Sequence, residues 1–103
     1  MAAPNVTGSA VLLAEYLENQ LGSTPQSATT KGLLIHTATD SGNVGPDYTY
    51  GWGLVNVAQA ADFVTSSATG ASTYVLQEAS YTGTEWTVDI VSDGSTQLKA
   101  TLV

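Results

Sequence analysis

The 103-residue chain has no cysteine and no arginine, and beside its single histidine, His36, the only basic residues are Lys31 and Lys99. Without cysteine there is no disulfide, no thiolate metal site and no cysteine nucleophile. Two lysines against nine acidic residues leave a net charge of −7, which repels phosphate backbones and anionic lipid surfaces and argues against a nucleic-acid partner. No apolar run reaches the roughly 18 residues of a membrane span. The first thirty residues carry no positive charge, so they do not read as a secretory signal, whose leading region needs it. What is present is apolar: 43% hydrophobic and only 11% charged residues suit a packed chain, not a disordered one. The length fits one domain, or the end of one and the start of another. Few lysines beside many Ser, Thr, Gly and Asn is a composition shared with many secreted bacterial proteins.

Residues 4 to about 21 read as a helix, because Val6, Ala10, Leu13, Leu17 and Leu21 recur at spacings of three and four. Its first half is apolar almost all round, with Gly8, Ser9, Ala10 and Ala14 small enough for close approach. Glu15, Glu18 and Asn19 mark the one clear solvent face, which predicts a buried helix emerging into water. Gly22 supplies the stop. A second helix is expected from Pro25 to Ala38, opened by a hydroxyl cap in Ser23-Thr24 with proline at its first position. Ala28, Gly32, Leu34, Ile35 and Ala38 form its apolar side. The five glycine and proline breakers between Asp40 and Gly53 predict a shaped loop. A third helix comes next, with Asn56 as N-cap and Val57, Ala60, Ala61 and Val64 on one face. The pattern then changes: residues 65–72 read as a Ser/Thr/Gly/Ala linker. Beyond it, 73–78, 85–91 and 97–103 read as strands, with Trp86, Val88 and Ile90 alternating against Thr87 and Asp89, and Leu98, Ala100 and Leu102 against Lys99 and Thr101, around a turn at Ser92-Asp93-Gly94-Ser95.

Three segments carry a resemblance to the subtilisin-like serine proteases, the subtilases. Met1-Ala2-Ala3-Pro4-Asn5-Val6-Thr7-Gly8 resembles the stretch after the nucleophilic serine of that family's Gly-Thr-Ser-Met-Ala-Ala/Ser-Pro motif. Leu33-Leu34-Ile35-His36-Thr37-Ala38 resembles the end of its second helix. Gly45-Pro46-Asp47-Tyr48-Thr49-Tyr50-Gly51-Trp52-Gly53-Leu54-Val55-Asn56 is similar to its closing Tyr-Gly-x-Gly-Leu-Val/Ile-Asn segment. The three occur in the family's order and spacing. The resemblance implies an α/β subtilisin-like fold, of which residues 1–64 would be the C-terminal helical part, lacking most of the parallel sheet. Residues 73–103 resemble, less specifically, the first strands of a β-sandwich or jelly-roll-like domain that some bacterial subtilases carry next.

On this resemblance the nucleophilic serine would directly precede Met1, and Met1, Ala2, Ala3, Pro4 and Gly8 would flank the site. Aspartate and histidine precede serine in the subtilisin order, so the chain itself would hold no catalytic residue and be inactive alone. Its parent would be a secreted endopeptidase acting on polypeptides through a Ser-His-Asp triad. No cofactor is expected, though the family brings calcium into view for the full-length parent. An apolar helix parted from its sheet would favour self-association.

Other residues have plainer readings. His36 sits late in a helix with no catalytic-histidine motif around it, and Ser9 lies inside a helix in no Gly-x-Ser-x-Gly elbow. Asn5-Val6-Thr7 matches a glycosylation sequon but falls in a helix expected to be buried. Asp40, Asn43 and Asp47 could offer oxygens to calcium, yet lack the spacing of a dedicated loop. Tyr48, Tyr50 and Trp52 could form a stacking platform, although packing against the protease core is the simpler expectation, as it is for Trp86 in a sheet. The rival reading of the whole chain is a non-enzymatic acidic module, secreted, using its β part for binding or adhesion. A decayed protease that has lost a triad member is a third.

Overall fold

The computed structural model describes residues 1–70 and 73–103; the last two residues of the expected linker, 71–72, lie outside the described residues. Among the described residues three helices form, α1 (Ala2–Leu21), α2 (Ser27–His36) and α3 (Val57–Ala68), and α1 packs chiefly on α3. Leu13 and Leu17, four apart on α1, meet Ala60 and Val64, four apart on α3, and Leu33 of α2 closes the cluster. All five are buried, and the small Ala60 lets two helices approach. Tyr16, Leu34, Phe63 and Leu76 pack around this centre. Beside it, Tyr16 and Thr65 share a hydroxyl hydrogen bond of 2.5 Å that ties α1 to α3.

The helix ends obey local chemistry. Gly22 takes φ 74°, and its N–H donates to the Glu18 carbonyl at 2.9 Å, closing α1 where expected. Asn56 caps α3, its Oδ1 accepting from the Gln59 N–H at 3.0 Å. The expected Thr24 cap of α2 does not form, because the Thr24 hydroxyl donates to the Glu18 carboxylate instead. Gln26 becomes the N-cap without a side-chain bond, and α2 is shorter at both ends than the expected 25–38. Residues 65–68, expected as linker, continue α3. There the Thr65 hydroxyl donates to the Ala61 carbonyl at 2.9 Å, a bond that lets a threonine stay helical.

Burial and pairing differ from expectation in two places. Burial of the first half of α1 does not hold, since Val11 and Leu12 are 64% and 63% exposed. Only one stripe of that helix faces α2 and α3, and no other described residue covers the rest. The β-rich domain expected to begin in 73–103 is not shown: none of 73–78, 85–91 or 97–103 forms a strand here, and among the described residues the β-pairing consists of isolated bridges within the 39–54 loop. Three short strands without a helix or second sheet to cover them gain too little burial to hold a ladder. Trp86, expected in a sheet core, is 57% exposed. The turn between the last two segments does form. Asp93 Oδ1 accepts from the Ser95 and Thr96 N–H groups, and Oδ2 from the Thr96 hydroxyl at 2.6 Å. That hydroxyl, with the two amides, holds the Asp93 carboxyl well below the usual carboxylate range.

Candidate functional site

The segment from Met1 to Gly8 forms the first turns of α1 and lies exposed at the end of the molecule. Met1 is the N-cap, and no side chain caps the helix there. Pro4 has no N–H to lose in this first turn, so it is accommodated without cost. The opening amides and the positive end of the helix dipole therefore point outward, the arrangement that attracts developing negative charge. Met1, Ala2, Ala3, Pro4 and Gly8 thus share one helix end. Thr7 donates its hydroxyl to the Ala3 carbonyl at 2.9 Å. A Cβ at Gly8 would meet nothing within 4 Å, so its smallness answers to no described part of this chain.

The 39–56 loop is pinned at its base. Thr39 and Leu54 exchange both backbone bonds, at 2.8 and 2.9 Å, and Asp47 and Gly51 do the same nearer the tip. Gly53, from the Tyr-Gly-x-Gly pattern, holds φ 102°, and a Cβ there would collide with the Thr39 carbonyl. Asp47 organises the tip: Oδ1 accepts from the Thr49 and Tyr50 N–H groups, and Oδ2 from that of Asn43. The Tyr50 amide, helped by those of Asn43 and Thr49, draws its carboxyl below the ordinary value against the opposing effect of desolvation. Asp40 likewise accepts from the Ser41 and Gly45 amides. Both carboxylates accept from the loop's own N–H groups and so fix its shape. Among the described residues no group of three or more His, Cys, Asp or Glu stands together to hold a metal ion. Tyr48 projects fully into solvent, while Tyr50 and Trp52 are a little over half exposed and the Tyr50 ring lies over Gly42.

His36 ends α2 beside a cleft of about 250 Å³ lined by Asp62, Phe63 and Ser66 of α3 and by Tyr74 and Lys99. Its ring meets Phe63 edge-on at 5.0 Å, and Nδ1 shares a 3.0 Å hydrogen bond with the Thr101 hydroxyl. That nitrogen is engaged with a threonine, not with a carboxylate or a serine. Burial, and then the charge of Lys99, push its pKa below the ordinary 6.5. A histidine so placed has the surroundings of a packing residue. The sequence did not single out the pairing of Lys99 and Thr101 with this helix end, since nothing local signals a contact more than sixty residues away.

The comparisons with known proteins fall on the same elements. The family model described as the Subtilase family matches residues 1–53, which hold α1, α2 and the loop up to Gly53. An extracellular serine protease of Serratia marcescens is 32% identical over 97 residues, covering 90% of this chain and 9% of that protein. A match of that extent runs past the loop and α3 into 73–103. The chain thus spans about a tenth of the length of the curated relative it matches. No solved structure matches it. Among the described residues no helix is long and apolar enough to cross a membrane.

Proposed function

The chain belongs to the subtilase family, and we propose that it serves as the C-terminal helical part of the protease domain of a secreted serine endopeptidase. The observation that carries this reading is the subtilase match across 1–53, whose first residues form an outward-facing helix end with no side-chain cap. In the longer protein a serine just before Met1 would attack the scissile carbonyl. A histidine would take its proton and an aspartate would orient that histidine, both from earlier in the sequence. The part played by this chain is electrostatic and positional. The dipole and free amides of α1 favour the oxyanion, and Ala2, Ala3 and Gly8 leave room around the nucleophile.

The exposed α1 residues Val6, Val11 and Leu12 are then the side that the protein's parallel sheet covers, and residues 73–103 are the opening of a β-rich domain whose strands pair once further strands are supplied. The isolated chain, with that apolar surface open, self-associates as its concentration rises. The substrate is a polypeptide, and the extracellular relative supports secretion of the parent.

Fluorophosphonate labelling tests the catalytic reading. The 103-residue chain stays unlabelled, whereas the product of the full reading frame takes up one equivalent at a serine directly before Met1. Labelling of the short chain itself, or of a serine elsewhere in the long one, overturns the reading.

A further inference from the structure

Residues 74, 76 and 78 touch the helical unit, and so do 99, 101 and 103. Tyr74 stands edge-on to Phe63 at 5.2 Å, Leu76 packs against the buried cluster, and Glu78 reaches the start of α2. Lys99 and Thr101 meet His36, and Val103 lies over Gly32. In both segments the contacts recur at every second residue, the spacing by which an extended chain lays one face on a neighbour. The intervening Leu98 and Leu102 face away, 70% and 96% exposed.

The polar contacts fall at the two ends of one helix. The Glu78 carboxylate accepts from the Gln26 N–H at 3.1 Å and from the Thr29 hydroxyl, at the end of α2 that has no cap of its own and no acidic residue in its first turn. Lys99 Nζ donates to the His36 carbonyl at 2.6 Å, at the opposite end. A negative group at the amide end and a positive one at the carbonyl end both complement the helix dipole. Leu76 adds a backbone anchor, its N–H donating to Ser67 Oγ at 3.1 Å.

We propose that the outer face of α2, with the adjoining edge of α3, is the docking surface for the two extended segments 73–78 and 97–103, and that Glu78 and Lys99 clamp α2 from its two ends. The occupant is this chain's own C-terminal region. The surface fastens the tail to the helical unit, and it does not depend on where the catalytic residues lie. In the last segment Lys99, Thr101 and Val103 turn toward the helical unit, while Leu98, Ala100 and Leu102 form the outer face.

A cysteine-free chain allows a direct test by cross-linking. Val103 Cβ lies 3.7 Å from the position of a Cβ at Gly32, within the spacing a disulfide bridges. The full chain carrying Gly32→Cys with Val103→Cys closes an intramolecular disulfide under mild oxidation about tenfold faster than Gly32→Cys with Leu102→Cys, whose second thiol faces outward. Equal rates in the two pairs, or no closure in either, overturn the docking. Hydrogen exchange tests the clamp without adding a bond. Glu78→Gln speeds exchange at the Gln26 amide, and Lys99→Met speeds it at amides of the last turn of α2, each by roughly two- to fivefold. Unchanged exchange at both ends overturns the clamp.

Discussion

The helical region, residues 1–70, and the tail, residues 73–103, are held by opposite means. In the first, apolar side chains three and four apart find one another across helices, and the five fully buried ones make the core. In the second, apolar and polar residues alternate over 86–90 and 98–102, yet of the tail only Leu76 packs on the core. The contacts that fasten the tail are chiefly polar: Glu78, Lys99, Thr101 and the Leu76 amide. Periodicity states which side chains share a face. It does not state whether a partner exists for that face, and here the helices have one while most of the tail does not.

The largest expected effect contrasts one apolar residue from each region. Leu17→Ala leaves a void among Leu13, Leu33 and Val64 and lowers stability by about 2–5 kcal/mol, enough to lose much of the cooperative melt of so small a core. Trp86→Ala, although it removes more atoms, changes stability by no more than about 0.5 kcal/mol, because its ring lies mostly in water. Thermal or urea unfolding of the two variants checks both. A loss at Trp86 matching that at Leu17 would erase the contrast and place a second core in the tail. An intermediate effect is expected at Gly53→Ala. The new methyl would be forced against the Thr39 carbonyl at a φ of 102°, and the strain costs about 1–3 kcal/mol. Loss of the Thr39 and Leu54 amide protection in hydrogen exchange locates the damage at the loop base.

The same contrast explains what the sequence made legible. The Asn56 cap, the Gly22 stop and the Ala60/Val64 stripe rest on forces acting within one turn of the chain, and each was readable. The Tyr-Gly-x-Gly loop was readable as a motif, and Gly53 supplies its steric reason. The exposure of Val11 and Leu12 was not readable. Their apolar character belongs to α1, but burial needs a neighbouring surface, and no described residue of α2, α3 or the tail covers them. The facing of the last segment was not readable for a related reason. Leu98 and Leu102 look like inward residues, yet the surface available to them is the end of α2, where carbonyl groups bind Lys99 better than leucine. The segment Met1 to Gly8 was readable as the start of a helix, and only family resemblance set it apart, since nothing in its own composition distinguishes it from any other helix end.

The smallest effect probes the junction between the two regions through pH. His36 is faced by Lys99 and Thr101 from the tail, by Asp62 and Phe63 from α3, and by Tyr74 across the cleft. Burial and the lysine hold its folded pKa below 6.5, so in the interval beneath that value the unfolded chain binds the extra proton more readily than the folded one. Stability is then greatest above the unfolded pKa, falls as pH drops through it, and levels off once the folded pKa is passed. Asp62 lines the same cleft, and the downward direction of the shift is set by burial and then by Lys99. Melting curves between roughly pH 7 and 5.5 stay clear of most carboxylate titration and isolate this group. There the wild-type midpoint declines slightly with acid, and the exchange of amides near Thr101 rises with it, because a second positive charge beside Lys99 loosens the clamp at that end. His36→Gln flattens both responses. Lys99→Met, by removing the repelling charge, shrinks them without abolishing them, since the larger contribution, burial, persists; a wild-type midpoint that rises on acidification would reverse the sign and show that Asp62 governs the ring.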